Sequence, residues 1–193
     1  MSKALPLALP NMSQQWDTSV YDLLTPRCAP DISTPARQAA VTLENSIRTN
    51  IFETGAFFNS NGRLITQKVG TGSQVRFDSH ELVGTKGSLF THNHPDGLPF
   101  SPQDVEQAID IGLIELRAVA HHCRYILQPN GNWPSWSAIE SALLRHAPVA
   151  RQDVAAMVQS TYLANSNVDK ELQHRLWVLV ANDLNLHYFR EKS

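Results

Sequence analysis

The sequence predicts a mixed α/β fold, on three observations. A helical repeat of apolar residues opens at Thr34-Pro35, short apolar runs punctuated by Asn61-Gly62 and by glycine turns fill residues 52–94, and helical periodicity returns after residue 136. Helix, strands, helix, strands and helices thus follow one another along the chain, an order that suits a sheet covered by helices.

The first helix is fixed by its cap. Thr34 places a hydroxyl at the N-cap, and Pro35 takes the first helical position, where a missing N–H costs nothing. Ala40, Leu43, Ile47 and Ile51 then recur at three- and four-residue steps, giving about four turns. Phe52–Phe58 is a short apolar run with Gly55 inside it, and reads as a strand. Asn61-Gly62 predicts a two-residue type I′ hairpin, whose central positions both need positive φ, with Arg63–Val69 as the returning strand.

Gly70, Gly72, Ser73 and Asp78 mark a loop around a short strand at Gln74–Phe77, and Gly84–Gly87 marks another turn. Ser88–His94 is predicted as a buried strand, Ser101 to about Ile114 as a helix, and Leu116–Ala120 with Arg124–Gln128 as a further pair of strands. Asn130-Gly131-Asn132 and Pro134 close that unit. Three helical patterns follow, near 136–147, 151–165 and 167–188, whose apolar residues read as core.

At 193 residues, 42% of them hydrophobic, the chain is long enough for one substantial core and short for two. The expected organisation is an extended arm over residues 1–32, a core over 33–135 and a helical extension over 136–193 packed on that core. The arm is broken by Pro6, Pro10, Pro26 and Pro30, yet Leu5, Leu7, Leu9, Trp16 and Tyr21 suit packing on the domain or on a partner.

Sixteen basic against eighteen acidic residues give a formal charge of −2, which disfavours a polybasic, phosphate-binding protein and makes nucleic acid an unexpected partner. Cys28 and Cys123 belong to no C-x-x-C pair and fit a reducing compartment. The apolar stretch Ala4–Leu9 is interrupted by Pro6 and too short for a secretory signal, and no span approaches membrane-crossing length. A cytoplasmic location is the expectation, with delivery as a secreted effector left open.

The stretch that carries chemistry is Phe90-Thr91-His92-Asn93-His94-Pro95-Asp96-Gly97, followed by Ser101-Pro102-Gln103-Asp104. On a strand, His92 and His94 point to one face and Asn93 to the other. Pro95, Gly97 and Pro99 then turn the chain out of the strand, and Ser101-Pro102 opens a helix whose first turn carries Asp104. Two imidazoles and one carboxylate are a set that zinc accepts, leaving a fourth position for water. Such chemistry also needs a base, and Glu53, an ionisable residue in an apolar run, is the candidate.

Plainer roles compete for the same residues. Ser101-x-x-Asp104 is also a capping box. Asp96-Gly97 is a turn pair, although Asp96 could stand in as a ligand. His121-His122-Cys123 are adjacent, so at most two of them could share an ion on a strand. His80, His146, His174 and His187 have no ligand-spaced partner and are expected at the surface or packed on helices. Trp133, Trp136 and Trp177 are candidates for an exposed partner-binding patch.

At Glu53 in Glu53-Thr54-Gly55-Ala56-Phe57-Phe58 and at His92, His94, Pro95, Ser101 and Asp104, the chain resembles the JAB/MPN (JAMM) zinc metalloprotease family over about residues 34–130. Its H-N-H-P is similar to the bacterial and phage branches, including the RadC-like group. The resemblance implies a cytidine-deaminase-like curved mixed sheet flanked by helices, here with a helical C-terminal extension. It implies zinc held by His92, His94 and Asp104, Glu53 as general acid/base and Ser101 steadying an oxyanion. The activity implied is hydrolysis of a peptide or isopeptide bond in a protein substrate, including deconjugation of a ubiquitin-like protein. Two alternatives stay open: a non-catalytic MPN-like binding module, and a RadC-like protein of nucleic-acid metabolism.

Overall fold

The computed structural model describes residues 28–193, so the expected arm lies, up to Arg27, outside the described residues. Its elements run α1 (Pro35–Ile47), β1 (Thr54–Phe58), β2 (Leu64–Val69), β3 (Leu89–Asn93), α2 (Pro102–Ile111), β4 (Glu115–Val119), β5 (Cys123–Pro129), α3 (Trp136–Gln159), α4 (Val168–Asp183) and β6 (Leu186–Lys192). The strands form one mixed sheet of six, in the order β2-β1-β3-β4-β5-β6. β3 and β4 are parallel and joined through α2, and every other neighbouring pair is antiparallel. The α/β class predicted from the pattern of elements is the one observed.

α1 begins as its cap predicts, with the Thr34 hydroxyl accepting from the Arg37 amide at 3.3 Å. It ends at Ile47, one turn early, and leaves Ile51 74% exposed. The β1–β2 connection differs from the expected two-residue turn. Gly62 has φ 76° but Asn61 does not enter the left-handed region. Instead the Gly62 amide donates to Asn59 O at 2.9 Å and the Asn59 amide to Arg63 O at 3.0 Å, a turn over residues 59–62 closed by a glycine bulge. The Asn59 side chain selects this longer turn, its Oδ1 accepting from the Asn61 and Arg63 amides at 3.1 and 3.0 Å. Gln74–Phe77 joins no strand: Gln74, Val75 and Arg76 line a cleft as a loop, and Phe77 packs against Phe57 and Phe90.

The C-terminal unit departs further from expectation. Residues 136–159 form one helix that passes through Pro148. The lost hydrogen bond and ring clash cost about 3 kcal/mol, offset by burial on both sides of the proline, where Ile139, Ala142, Ala150, Val154 and Met157 all face inward. α4 stops at Asp183, and Asn185, at φ 54°, turns the chain into β6. β6 pairs with β5 from Leu186 opposite Pro129 to Lys192 opposite Cys123. The unit after residue 136 is therefore not purely helical, and its last strand is the edge of the sheet.

Side-chain alternation gives the sheet two unlike faces. On one, Ala56, Phe58 and Leu89 pack against Ala36 and Ala40 of α1. Beside them lies a buried ionic cluster. Arg117 Nε donates to Glu44 Oε1 at 2.7 Å, Nη1 to Glu115 Oε1 at 2.8 Å and Nη2 to Glu191 Oε2 at 2.9 Å. Arg124 Nε donates to Glu44 Oε2 at 2.6 Å, and Thr91 Oγ1 donates to Glu44 Oε1 at 2.8 Å. These pairings hold the Glu44 carboxyl below its ordinary range although burial alone would raise it.

On the other face, Phe57, Leu116, Ala118, Tyr125 and Leu127 pack against α2, α3 and α4. Trp177 is buried there and donates to Phe100 O at 2.8 Å, while the partly buried Trp133 donates to Leu113 O at 2.6 Å. Trp136 also packs on this core. These three tryptophans, candidates for an exposed patch, are turned inward, because each indole adds more by filling the gap between helices and sheet than by facing water. No helix among the described residues is long and apolar enough to cross a membrane.

Candidate metal centre

The strand alternation predicted for H-x-H holds: His92 and His94 face the large core, and Asn93 faces α1. After β3 the His94 amide donates to Val119 O at 2.9 Å. Asp96 and Gly97 then make the expected turn, with Gly97 at φ 78° and Asp96 Oδ1 accepting from the Leu98 amide at 2.9 Å. Ser101 caps α2. Its hydroxyl accepts from the Asp104 amide at 3.2 Å, and Asp104 Oδ2 accepts from the Ser101 amide at 2.7 Å and hydroxyl at 2.8 Å. Capping and ligand roles are not rivals here, since the cap orients the carboxylate.

His92, His94 and Asp104 come together with one donor atom each, all within 4.8 Å of one another. His92 Nε2 lies 3.5 Å from Asp104 Oδ1, and His94 Nε2 lies 3.6 Å from Asp104 Oδ2. Those separations exceed the roughly 2.7–2.9 Å of a charge-assisted hydrogen bond. Each imidazole faces a different oxygen of the carboxylate, and the three groups form an open cradle of donors rather than a closed set of hydrogen bonds.

The opposite ring nitrogens support the same reading. His92 Nδ1 is 3.1 Å from Arg117 O and His94 Nδ1 is 2.8 Å from Leu98 O, so each ring donates there and turns a lone pair toward Asp104. His92 Nε2 is fully buried without a hydrogen-bond partner. A buried acceptor left this way is costly unless something fills the position. The residues fit a divalent cation.

Electrostatics agree. Burial acts to raise the Asp104 carboxyl, but His92, His94 and Ser101 hold it well below the usual carboxylate range. Burial acts to lower His92, yet Asp104 and Glu53 raise it overall, whereas burial and the neighbouring His92 push His94 down. Phe90 stacks on His92, with ring centroids 5.1 Å apart. Gly55, paired with His92 across β1 and β3, has no room for a side chain, since a Cβ would come within 2.9 Å of the Phe90 ring.

Glu53 stands just ahead of β1, buried, on the wall of the same cleft as His92, His94 and Asp104. Burial raises its carboxyl above the ordinary range, opposed by His92 and assisted by Asp104. The cleft holds about 630 Å³. One wall is the loop around Val75 and Arg76, and the other includes Leu143 of α3 with Gln173 and Leu176 of α4. Reading the sequence missed that second wall, because no local pattern tells that a distant helix will face the H-x-H strand.

The remaining histidines and cysteines form no such group among the described residues. His121 and His122 stack edge to face beside Cys123 without a third ligand. Cys28 and Cys123 are both free thiols. His146 meets Asp183 at 3.0 Å, and His174 is buried against Tyr188.

The family models, curated proteins and solved structures compared with the chain include no match to it. Fold and site together therefore define the class: an α/β protein with a mixed six-stranded sheet and, at the end of β3, a buried two-histidine, one-carboxylate centre able to hold a metal ion.

Proposed function

We propose that the protein is a zinc-dependent hydrolase of the JAB/MPN type, cutting a peptide or isopeptide bond in a protein substrate such as a ubiquitin-like conjugate. The observation that carries this reading is the convergence, in one cleft, of three donors with a separate buried carboxylate, Glu53. A centre of purely structural zinc more often has four protein donors and no base beside it.

His92 and His94 would hold the ion through Nε2, and Asp104 through its carboxylate. Zinc held there would supply Lewis acidity toward a carbonyl and make a nearby water more acidic. Glu53 takes the proton that the attacking water loses and delivers it to the departing amine nitrogen, so the C–N bond is exchanged for C–O and the carboxyl returns to its starting state. Its position away from bulk water suits a group that must both accept and give up a proton near neutrality. Ser101 donates its hydroxyl proton to Asp104 and lines the cleft, and to steady a developing oxyanion that hydroxyl would turn from Asp104 toward the substrate.

The test is elemental analysis of protein purified without added metal, joined to a screen of quenched fluorescent peptides and of peptides carrying an isopeptide-linked glycine on lysine Nε. Near-stoichiometric zinc and chelator-sensitive cleavage are expected. Metal well below one equivalent, with peptides bound but left intact, would favour the binding-module alternative. Strongly salt-dependent DNA binding with no cleavage would favour the nucleic-acid alternative.

A further inference from the structure

Asn93, the residue between the two histidines, is fully buried on the face of the sheet opposite the centre. Its carboxamide makes three hydrogen bonds. Oδ1 accepts from the Thr54 amide at 2.7 Å, and Nδ2 donates to Phe52 O at 3.2 Å and to Asn50 O at 3.2 Å. The first two partners belong to the two peptide units flanking Glu53: Phe52 C=O leads into that residue and Thr54 N–H leads out of it.

The remaining polar groups of those units are held from the other side. The Glu53 amide donates to Thr71 O at 2.7 Å, and the Gly70 amide donates to Glu53 O at 2.8 Å. All four main-chain groups around the Glu53 Cα are therefore engaged, two of them by a single side chain. With both peptide planes fixed, φ and ψ of Glu53 are fixed, and its side chain has one way to leave the backbone, toward the cleft that His92, His94 and Asp104 also line.

We infer that Asn93 is a positioning residue for Glu53, so that one H-x-H tripeptide aims both the metal donors and the base. The strand's period of two sends the flanking imidazoles to one face. The same period sends the central carboxamide to the other, where it holds the segment that carries the carboxylate. A carboxamide accepts through one atom and has two protons to give through another, so it serves one N–H and two carbonyls at once; a serine or threonine hydroxyl has a single proton to give and an ionised aspartate has none. This inference rests on the proposed hydrolase reading for its catalytic consequence, although the clamp itself does not depend on it.

The test compares wild type, Asn93→Ala, the isosteric Asn93→Asp and Glu53→Gln in the full chain, using the quenched peptide that wild type cleaves fastest. Asn93→Asp keeps the volume and the acceptor for Thr54 but sets an oxygen against two carbonyls. Both Asn93 variants are expected to keep wild-type zinc content and KM while kcat falls about 10–100-fold, the loss that a misaimed group brings. In a Glu53→Gln background, Asn93→Ala should remove nothing further, since the residue acts through Glu53. Hydrogen exchange supplies a readout without substrate: the Thr54 amide should be protected in wild type and exchange at least tenfold faster in Asn93→Ala. Unchanged kcat and unchanged Thr54 protection in both variants would overturn the inference, as would equal further loss in the Glu53→Gln background. A wild type that cleaves no peptide while the Thr54 amide still loosens in Asn93→Ala would overturn the hydrolase reading and leave the clamp standing.

Discussion

The His92 ring donates to the backbone carbonyl of Arg117 at 3.1 Å, while the Arg117 side chain leaves the opposite face of the sheet to bind Glu44 at 2.7 Å and Glu191 at 2.9 Å. One residue thus orients, with its main chain, an imidazole able to bind a metal, and closes a buried ionic cluster with its guanidinium. Glu44→Gln removes a charge that both Arg117 and Arg124 face. Breaking a buried pair from one side costs about 3–5 kcal/mol, and urea unfolding of the variant should show a loss of that size, with m unchanged.

Ser101 serves Asp104 twice, through its amide and its hydroxyl. Ser101→Ala deletes the hydroxyl and with it the cap, worth about 1 kcal/mol of stability. Losing a partner that orients a ligand lowers metal affinity by about 10–100-fold. Competition with a fluorescent chelator should show the weakening, and circular dichroism should show the sheet and helices intact.

Glu53→Gln and His92→Ala separate the two halves of the site. The glutamine keeps the shape and removes the proposed base, so any zinc held by the other three residues should remain bound while turnover falls about 10²–10⁴-fold. His92→Ala and Asp104→Ala should lose both metal and turnover. Equal zinc loss in all three would remove the separate role given to Glu53.

Zinc affinity should fall on acidification, beginning close to neutral pH. A ligand imidazole must be unprotonated, and Asp104 with Glu53 holds the His92 pKa above its ordinary value in spite of burial. Protons therefore compete at His92 from above about pH 6.5 downward, whereas His94, shifted the other way, joins the competition only at lower pH. Chelator titrations at pH 8, 7 and 6 should give an apparent affinity that drops about tenfold per unit once His92 is titrating. A flat profile would contradict His92 as a donor.

His174 sets a second pH dependence, away from the centre. Burial, then the charges of Arg190 and Arg175, holds its pKa well below the usual value. Below about pH 6.5 the unfolded chain takes up a proton there that the folded chain refuses. The contribution is therefore complete above that pH and is lost as acid is added, at up to about 1.4 kcal/mol per unit. His174→Gln, which keeps a partner for Tyr188, should flatten the decline of the urea midpoint between pH 7 and 5.

What the sequence disclosed depended on the range of the forces involved. The Thr34-Pro35 cap, the H-x-H alternation and the Ser101–Asp104 box are local, and each appears where its spacing places it. The type I′ turn failed because the Asn59 side chain, outside the two-residue signal, satisfied a longer turn. The helical patterns near 136–147 and 151–165 merge into one helix because burial on both sides of Pro148 overrides its low propensity. β6 was missed for a related reason: Asn185 does carry a stop signal, through its tolerance of positive φ, but the alternation of Leu186, Tyr188 and Arg190 only gains meaning once β5 lies beside it. Arg117, central to the site through its carbonyl, offered no sign at all, since main-chain partners are invisible to residue type.

The place of β6 also bears on how the molecule comes into being. Glu191, which closes the cluster behind His92, is 74 positions beyond Arg117, so a ribosome that has made both histidines and the aspartate has still not supplied the last anion of their support. Maturation should then wait until β6 has been made. Arrested nascent chains of increasing length would resist protease only after this final strand has emerged, and resistance gained before it would show that the earlier strands hold the shape unaided.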